Sequence, residues 1–120
     1  MAYIRCGTQK TEVPKKENDL YNIWQPYGGS SWTAPRDGTV KVCVFVAGYD
    51  NSTNFRTATC TCMGITVTHQ SYSGDSSAQN AYCENKWGTL TVKKGTTYTA
   101  TTTKQGSSIQ RYGAFLSYID

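Results

Sequence analysis

One stretch of alternating valines constrains the fold of this chain more than any other segment. Residues 39–46 read TVKVCVFV, and the four valines at even positions share one face of an extended strand. The opposite face begins with Lys41 and becomes apolar at Cys43, Phe45 and Ala47. A strand that is apolar on both faces is covered on both faces. This pattern therefore predicts a central strand whose far end lies in the interior.

More strands follow at the spacing of hairpins. Residues 55–63 alternate threonine with alanine and cysteine, residues 89–103 predict a hairpin that turns at Gly95, and residues 110–119 predict a long closing strand. Threonine is the most frequent residue and there are nine tyrosines, a composition that favours sheet. The sequence predicts an all-β fold, a two-sheet antiparallel β-sandwich of about seven or eight strands.

The N-terminal quarter of the chain has a different composition. Residues 8–20 are polar with mixed charge, and residues 25–31 read QPYGGSS, which is typical of a loop. The sequence therefore predicts an extended arm or linker over residues 1–30 and a β-sandwich domain over residues 31–120. Residues 19–24 fit either a short turn of helix or a strand.

Charge and hydropathy exclude two classes of partner. The net charge of +4 is spread along the chain and does not form a basic patch with interleaved aromatic residues, so we expect no nucleic-acid partner. No apolar run reaches the ~20 residues of a membrane span, and the start MAYIR lacks the apolar run of a signal peptide. We therefore expect no membrane insertion, no signal peptide and folding in a cytosol.

The cysteines raise the question of a metal site. Four of them could together supply thiolates to zinc: Cys43, Cys60, Cys62 and Cys83. Structural zinc sites usually contain a Cys-x-x-Cys pair, which this sequence lacks, so the expectation is buried free thiols with no metal and no other cofactor. A disulfide between Cys43 and Cys83, or one involving Cys6, would require an oxidising medium.

The single histidine gives little support to catalysis. His69 lies at the end of a predicted strand, and nothing in the spacing brings to it the nucleophile and the acid that a catalytic triad requires. We expect His69 to be an exposed or capping residue, and we expect the protein not to be an enzyme.

Aromatic and polar side chains near the predicted loops suit a carbohydrate ligand. Planar rings pack on sugar faces, and carboxylate or amide groups bind hydroxyls. The candidate glycan-binding residues are Tyr49, Asp50, Asn51, Tyr72, Asp75, Tyr82 and Trp87. The alternative is that these tyrosines belong to sheet surfaces and subunit interfaces, where tyrosine is common.

Three phrases of the sequence resemble one protein family. Residues 32–40, WTAPRDGTV, resemble the segment that enters the jelly roll in many phage tail-fibre head and receptor-binding domains. Residues 90–98, LTVKKGTTY, resemble a hairpin of the same domains, with Thr96 where aspartate is common. Residues 112–119, YGAFLSYI, are similar to their closing strand and to that of complement-like and tumour-necrosis-factor-like jelly rolls. Residues 1–7 resemble the start of short structural proteins of phages that infect Gram-positive bacteria.

The resemblance implies a jelly-roll domain in a phage virion, folded in the bacterial cytoplasm before assembly. It implies a homotrimer whose partner is a glycan or a protein on the host cell surface. Such domains commonly end a long fibre, whereas only residues 1–30 precede this one. Two alternatives stay open: a monomeric, lectin-like carbohydrate-binding accessory module, and a virion decoration or assembly protein without a ligand.

Overall fold

Strands form every regular element that the structure describes. The computed structural model describes residues 2–5, 8–11, 20–25, 31–51, 55–72 and 80–120. The strands are β1 (Ala2–Arg5), β2 (Thr8–Thr11), β3 (Leu20–Gln25), β4 (Ser31–Thr33), β5 (Gly38–Asp50), β6 (Phe55–Cys62), β7 (Ile65–Tyr72), β8 (Asn80–Val92), β9 (Thr97–Thr99), β10 (Thr101–Gln105) and β11 (Ser107–Tyr118). Within these ranges there is no helix long and apolar enough to cross a membrane.

Two antiparallel sheets pack face to face. The larger sheet has the strand order β3-β11-β5-β8, and the smaller sheet has the order β10-β6-β7. Two short antiparallel pairs accompany them, β1 with β2 and β4 with β9. The predicted all-β fold, a two-sheet antiparallel β-sandwich, is confirmed.

The interior of the sandwich contains the valine face of β5. All four of its alternating valines are completely buried: Val40, Val42, Val44 and Val46. They pack with Val92 of β8, with Leu116 of β11 and with Cys60 of the opposite sheet. Strand β6 alternates buried and less buried residues along its whole length, as a half-buried strand should. The core therefore forms where the period-two pattern of the sequence predicts it.

A second, smaller apolar cluster lies on the other face of the larger sheet, which we call the outer face. Cys43, Phe45 and Phe115 are buried there, and the two phenylalanine rings stack with their centroids 5.3 Å apart. Trp24 packs against them. These residues are buried within a single chain. The apolar second face of β5 is thus covered without a neighbouring subunit.

Strand β3 comes from the range that the sequence predicts as an arm. Leu20–Gln25 pairs with β11 and forms one edge of the larger sheet, which decides between the helix and strand interpretations of this segment. The close approach of the two strands requires Gly113, whose φ is +148° and whose position has no room for a side chain beside the Ile23 carbonyl oxygen.

The three phrases that resemble phage domains meet at one end of the sandwich. The Lys94 amide donates to the Asp37 carboxylate at 2.7 Å, and the Gly95 amide donates to the Ala34 carbonyl at 2.8 Å. The Tyr118 hydroxyl donates to the Arg36 carbonyl at 2.8 Å. The turn, the hairpin and the closing strand are therefore tied together by hydrogen bonds. Their residue types are explained by this local architecture.

Candidate ligand-binding site

The opposite end of the larger sheet carries a cavity of about 470 Å³. It is lined by Trp24 of β3, by Ala47, Gly48 and Tyr49 of β5, by Ala81 and Tyr82 of β8, and by Gln110 and Arg111 of β11. The lining combines small residues of β5 and β8 with aromatic, amide and guanidinium side chains. All four strands of the larger sheet contribute to this site.

An irregularity in β11 shapes the cavity. The pairing of β11 with β5 shifts register between Ile109 and Arg111, which is the geometry of a β-bulge. Bulges bend a strand and redirect its side chains, and they are frequent beside functional sites. After the bulge, Arg111 lies opposite Ala47. Both Ala47 and Arg111 line the cavity.

The rim of the cavity combines aromatic rings with polar groups. Tyr49 is 45% exposed, although it belongs to a central strand. The Arg111 guanidinium carbon lies 5.9 Å from the centroid of the Trp24 ring, within the range of a cation–π contact. Gln110 adds an amide. Aromatic walls with a few polar groups are typical of small-molecule and sugar sites.

Behind the cavity lies a buried polar cluster centred on Asp50. The Asp50 side chain accepts hydrogen bonds from Ser107 at 2.8 Å and from Ser71 at 3.0 Å, and both of its oxygens lie within 3.0 Å of His69 Nε2. Arg56 Nε is 3.9 Å from the same carboxylate, and Arg56 is only 2% exposed. Burial opposes ionisation of Asp50, but the three hydrogen bonds and the charge of His69 together lower its pKa below the usual value.

His69 is buried in this cluster, so the prediction that it is an exposed or capping residue is wrong. Its Nδ1 atom lies 3.3 Å from Glu84 Oε2, so both ring nitrogens face carboxylate oxygens, an arrangement that the doubly protonated imidazolium satisfies. The ring stacks on Tyr82 with a centroid distance of 3.9 Å. The local sequence shows an alternating strand with a polar end, and the buried carboxylate that draws His69 inward is 19 residues away in the chain.

The cluster does not have the order of a catalytic triad. In a triad the histidine lies between the serine hydroxyl and the carboxylate. Here the carboxylate of Asp50 lies at the centre, and both Ser71 and Ser107 donate directly to it. The hydroxyls are used as hydrogen-bond donors to a buried anion. This arrangement stabilises the charge of Asp50 in the interior.

The structure brings together only part of the predicted glycan-binding set. Tyr49 and Tyr82 line the cavity. Asp50 is 3% exposed, so the structure places it in the buried cluster and not at the surface. Asn51 is exposed, and its amide donates to Ser108. The Tyr72 side chain and Asp75 lie outside the described residues.

Trp87 lies away from the cavity on the same outer face. It is 41% exposed, and the Lys41 ammonium group is 5.2 Å from its ring centroid. Its partner in β5 is Cys43, six residues from Tyr49, so the two aromatic residues are about 20 Å apart at ~3.3 Å per residue.

Three cavity residues with aromatic, amide or charged side chains were missed by the sequence analysis: Trp24, Gln110 and Arg111. Trp24 sits in the segment that fits either helix or strand, and the other two sit at a bulge. One feature of the sequence could have indicated two of them, namely the polar pair Gln110-Arg111 at the start of an otherwise apolar closing strand.

The cysteines do not form a four-thiolate site. Cys60 and Cys62 lie in the sandwich core, Cys43 lies in the cluster on the outer face, and Cys83 is disulfide-bonded. The described residues contain no group of histidine, cysteine or acidic side chains placed to hold a metal ion. The expectation of buried free thiols is confirmed for Cys43, Cys60 and Cys62. It is wrong for Cys83, which is exposed and oxidised, and the proposed Cys43–Cys83 pair does not form.

Burial keeps the three free thiols protonated. It raises the pKa of Cys60 to about 12 and the pKa values of Cys43 and Cys62 to about 11. A protonated thiol is a weak nucleophile and a weak metal ligand. These cysteines therefore act as small apolar side chains in the interior.

Comparison with known proteins relates this chain to others through its fold. No family model matches the sequence, and no curated protein matches it. The fold is similar to that of a solved structure, and this similarity identifies it as a β-sandwich of jelly-roll type. That structure, Eiger TNF from S. frugiperda, has a TM-score of 0.53 and 14% sequence identity, and the match covers 76% of this chain and 65% of that chain. Similarity at this level of identity shows the fold alone.

Proposed function

We propose that this domain is a non-enzymatic receptor-binding module of a phage virion, similar to a tail-fibre head, and that a bacterial surface glycan binds in the cavity. The observation that carries this proposal is the composition of the cavity, with the rings of Tyr49 and Trp24 beside the polar groups of Gln110 and Arg111. Aromatic rings pack on the apolar faces of sugars, and amide and guanidinium groups bind their oxygens.

The layout of the domain supports the same proposal. The phrases that resemble tail-fibre heads lie at one end of the sandwich, where they close the fold. The cavity lies at the other end of β5. The three phrases thus leave the cavity end of the larger sheet available to a ligand. A jelly roll that presents a site at one end suits a module that contacts a surface.

The binding proposal is tested by removing the Tyr49 ring. We expect Tyr49→Ala to weaken binding about tenfold, equivalent to about 1.4 kcal/mol, because the substitution removes ring packing and apolar contact area. The measurement is the binding of fluorescently labelled protein to an array of bacterial surface oligosaccharides and to bacterial cells. Phe55→Ala is the matched control, because Phe55 is an exposed aromatic residue on the other sheet.

The variant Trp87→Ala tests which part of the outer face binds the glycan. If the cavity is the site, this variant binds as well as the unmodified protein, since Trp87 lies about 20 Å from Tyr49 along the sheet. A loss of binding in Trp87→Ala with normal binding in Tyr49→Ala would move the site out of the cavity. Normal binding in both variants would contradict a glycan-binding site on the outer face.

We also propose that the domain is a homotrimer, as the resemblance implies. Several copies of one weak site bind a repetitive glycan with avidity, which suits a module that contacts a bacterial surface. Light scattering at micromolar concentration should give three times the 13.2 kDa mass of the chain. A particle with the mass of one chain would contradict the trimer and favour the monomeric, lectin-like module.

A further inference from the structure

The charge that lines the cavity is positive. Of the described residues that line it, Arg111 alone is charged, and Arg111 makes no ion pair with any described residue. The nearest elements do contain carboxylates, but these are engaged elsewhere. Asp50 is bound within the buried cluster, and Glu84 faces His69. Among the described residues, no carboxylate therefore compensates the positive charge of Arg111 at the rim.

The surroundings of Arg111 favour an anionic partner over a second protein surface. Ala47, opposite Arg111 in the sheet, lines the same cavity, and the Arg111 guanidinium carbon lies 5.9 Å from the centroid of the Trp24 ring. A guanidinium group presents a planar fork of donors that matches a carboxylate or a phosphate group bidentately. An aromatic neighbour limits the positions that the group adopts. The cavity thus combines a sugar-sized space with a single anion-binding fork.

We infer that the ligand of this cavity is a glycan that carries an anionic group, with the anion bound by Arg111 and a sugar ring packed against Tyr49. This inference rests on the proposed function, because it names the class of glycan that the same site takes. The shared chemistry is an anionic oxygen pair on a sugar, present in both carboxylated and phosphorylated saccharides.

The test compares matched oligosaccharides that differ only in charge. One pair is a glucuronic-acid oligosaccharide and its glucose equivalent, and the other is a phosphorylated oligosaccharide and its dephosphorylated form. Each is titrated against the unmodified protein, Arg111→Gln, Arg111→Lys and Tyr49→Ala. Lys86→Gln is the control, since it removes the same charge from an exposed residue outside the cavity.

We expect the charged member of at least one pair to bind at least tenfold more tightly than its neutral counterpart. Arg111→Gln should abolish that difference, Arg111→Lys should restore part of it, and Lys86→Gln should leave it unchanged. The preference should also decrease as ionic strength increases, because a rim charge is screened by salt. The pair that shows the preference identifies the anion as carboxylate or phosphate.

Two results would overturn the inference, and they are distinguishable. In the first, charged and neutral saccharides bind equally well, Tyr49→Ala weakens binding and Arg111→Gln does not. This result would support the glycan site but contradict the preference for an anionic glycan. Binding of no saccharide, or binding insensitive to both Tyr49→Ala and Arg111→Gln, would remove the proposed site together with the inference.

Discussion

Asp50→Ala is expected to lower the free energy of unfolding by about 3–5 kcal/mol, the usual effect of removing one partner from a buried ion pair. Arg56 is 2% exposed, and its Nε and Nη1 atoms find no hydrogen-bond partner among the described residues. Asp50 supplies the charge that compensates it at 3.9 Å. Without that carboxylate, a buried guanidinium group stays uncompensated, and Ser71 and Ser107 lose their acceptor.

Urea unfolding followed by circular dichroism measures this effect, with Glu84→Ala as the control. Glu84 contacts the same histidine, but its side chain is 45% exposed, so its removal should change stability by less than about 1 kcal/mol. A loss in Asp50→Ala that is no larger than the loss in Glu84→Ala would contradict the role of Asp50 as the centre of the cluster.

The same carboxylate should make stability depend on acid pH. Because the pKa of Asp50 is lower in the folded chain than in the unfolded chain, its contribution is complete above the unfolded value of about 3.9 and is lost as the pH falls through the folded value. Asp50→Asn should remove this component, so its stability should decline less steeply below about pH 4 than that of the unmodified protein. Equal slopes for the two proteins would contradict this assignment.

Gly48→Ala is expected to lower the free energy of unfolding by at least about 3 kcal/mol, above the range typical of overpacked side chains. A methyl group at position 48 would overlap with the backbone carbonyl oxygen of Ser108 in the paired strand β11. Strand β11 lies between β3 and β5, so its backbone can move away from Gly48 only if its pairing with β5 changes. The substitution should therefore disturb the bulge before Arg111 and the lining of the cavity as well.

Gly88→Ala provides the matched control in the same sheet. A methyl group there would meet the Cδ1 atom of Ile65, which is the end of a side chain that can rotate away. We expect a change of less than about 1 kcal/mol in Gly88→Ala, measured by the same urea titration. If the two variants lose the same stability, the close approach of Gly48 to β11 is not what limits substitution at that position.

Local patterns in the sequence determined the strands and the core. The alternation of valines in residues 39–46 places Val44 in the core whichever strand lies beside it, because side chains of a strand alternate between its faces. The alternation in residues 55–63 likewise determined which face of β6 is buried. The turn at Gly95 is a local property of four residues, since its backbone has a φ of +88°. None of these features depends on a distant partner.

The tertiary structure alone decided the site. Trp24 reaches the cavity because β3 pairs with β11, far away in the sequence, and Arg111 reaches it because β11 bulges against β5. Asp50 ends a strand beside a polar turn and looked like a surface residue, yet Ser107, 57 residues later, and His69 hold it in the interior. Periodicity states which face of a strand is buried, but it does not state which strand is its neighbour. Burial of a charge depends on that neighbour, because only a paired and hydrogen-bonded charge is stable away from water.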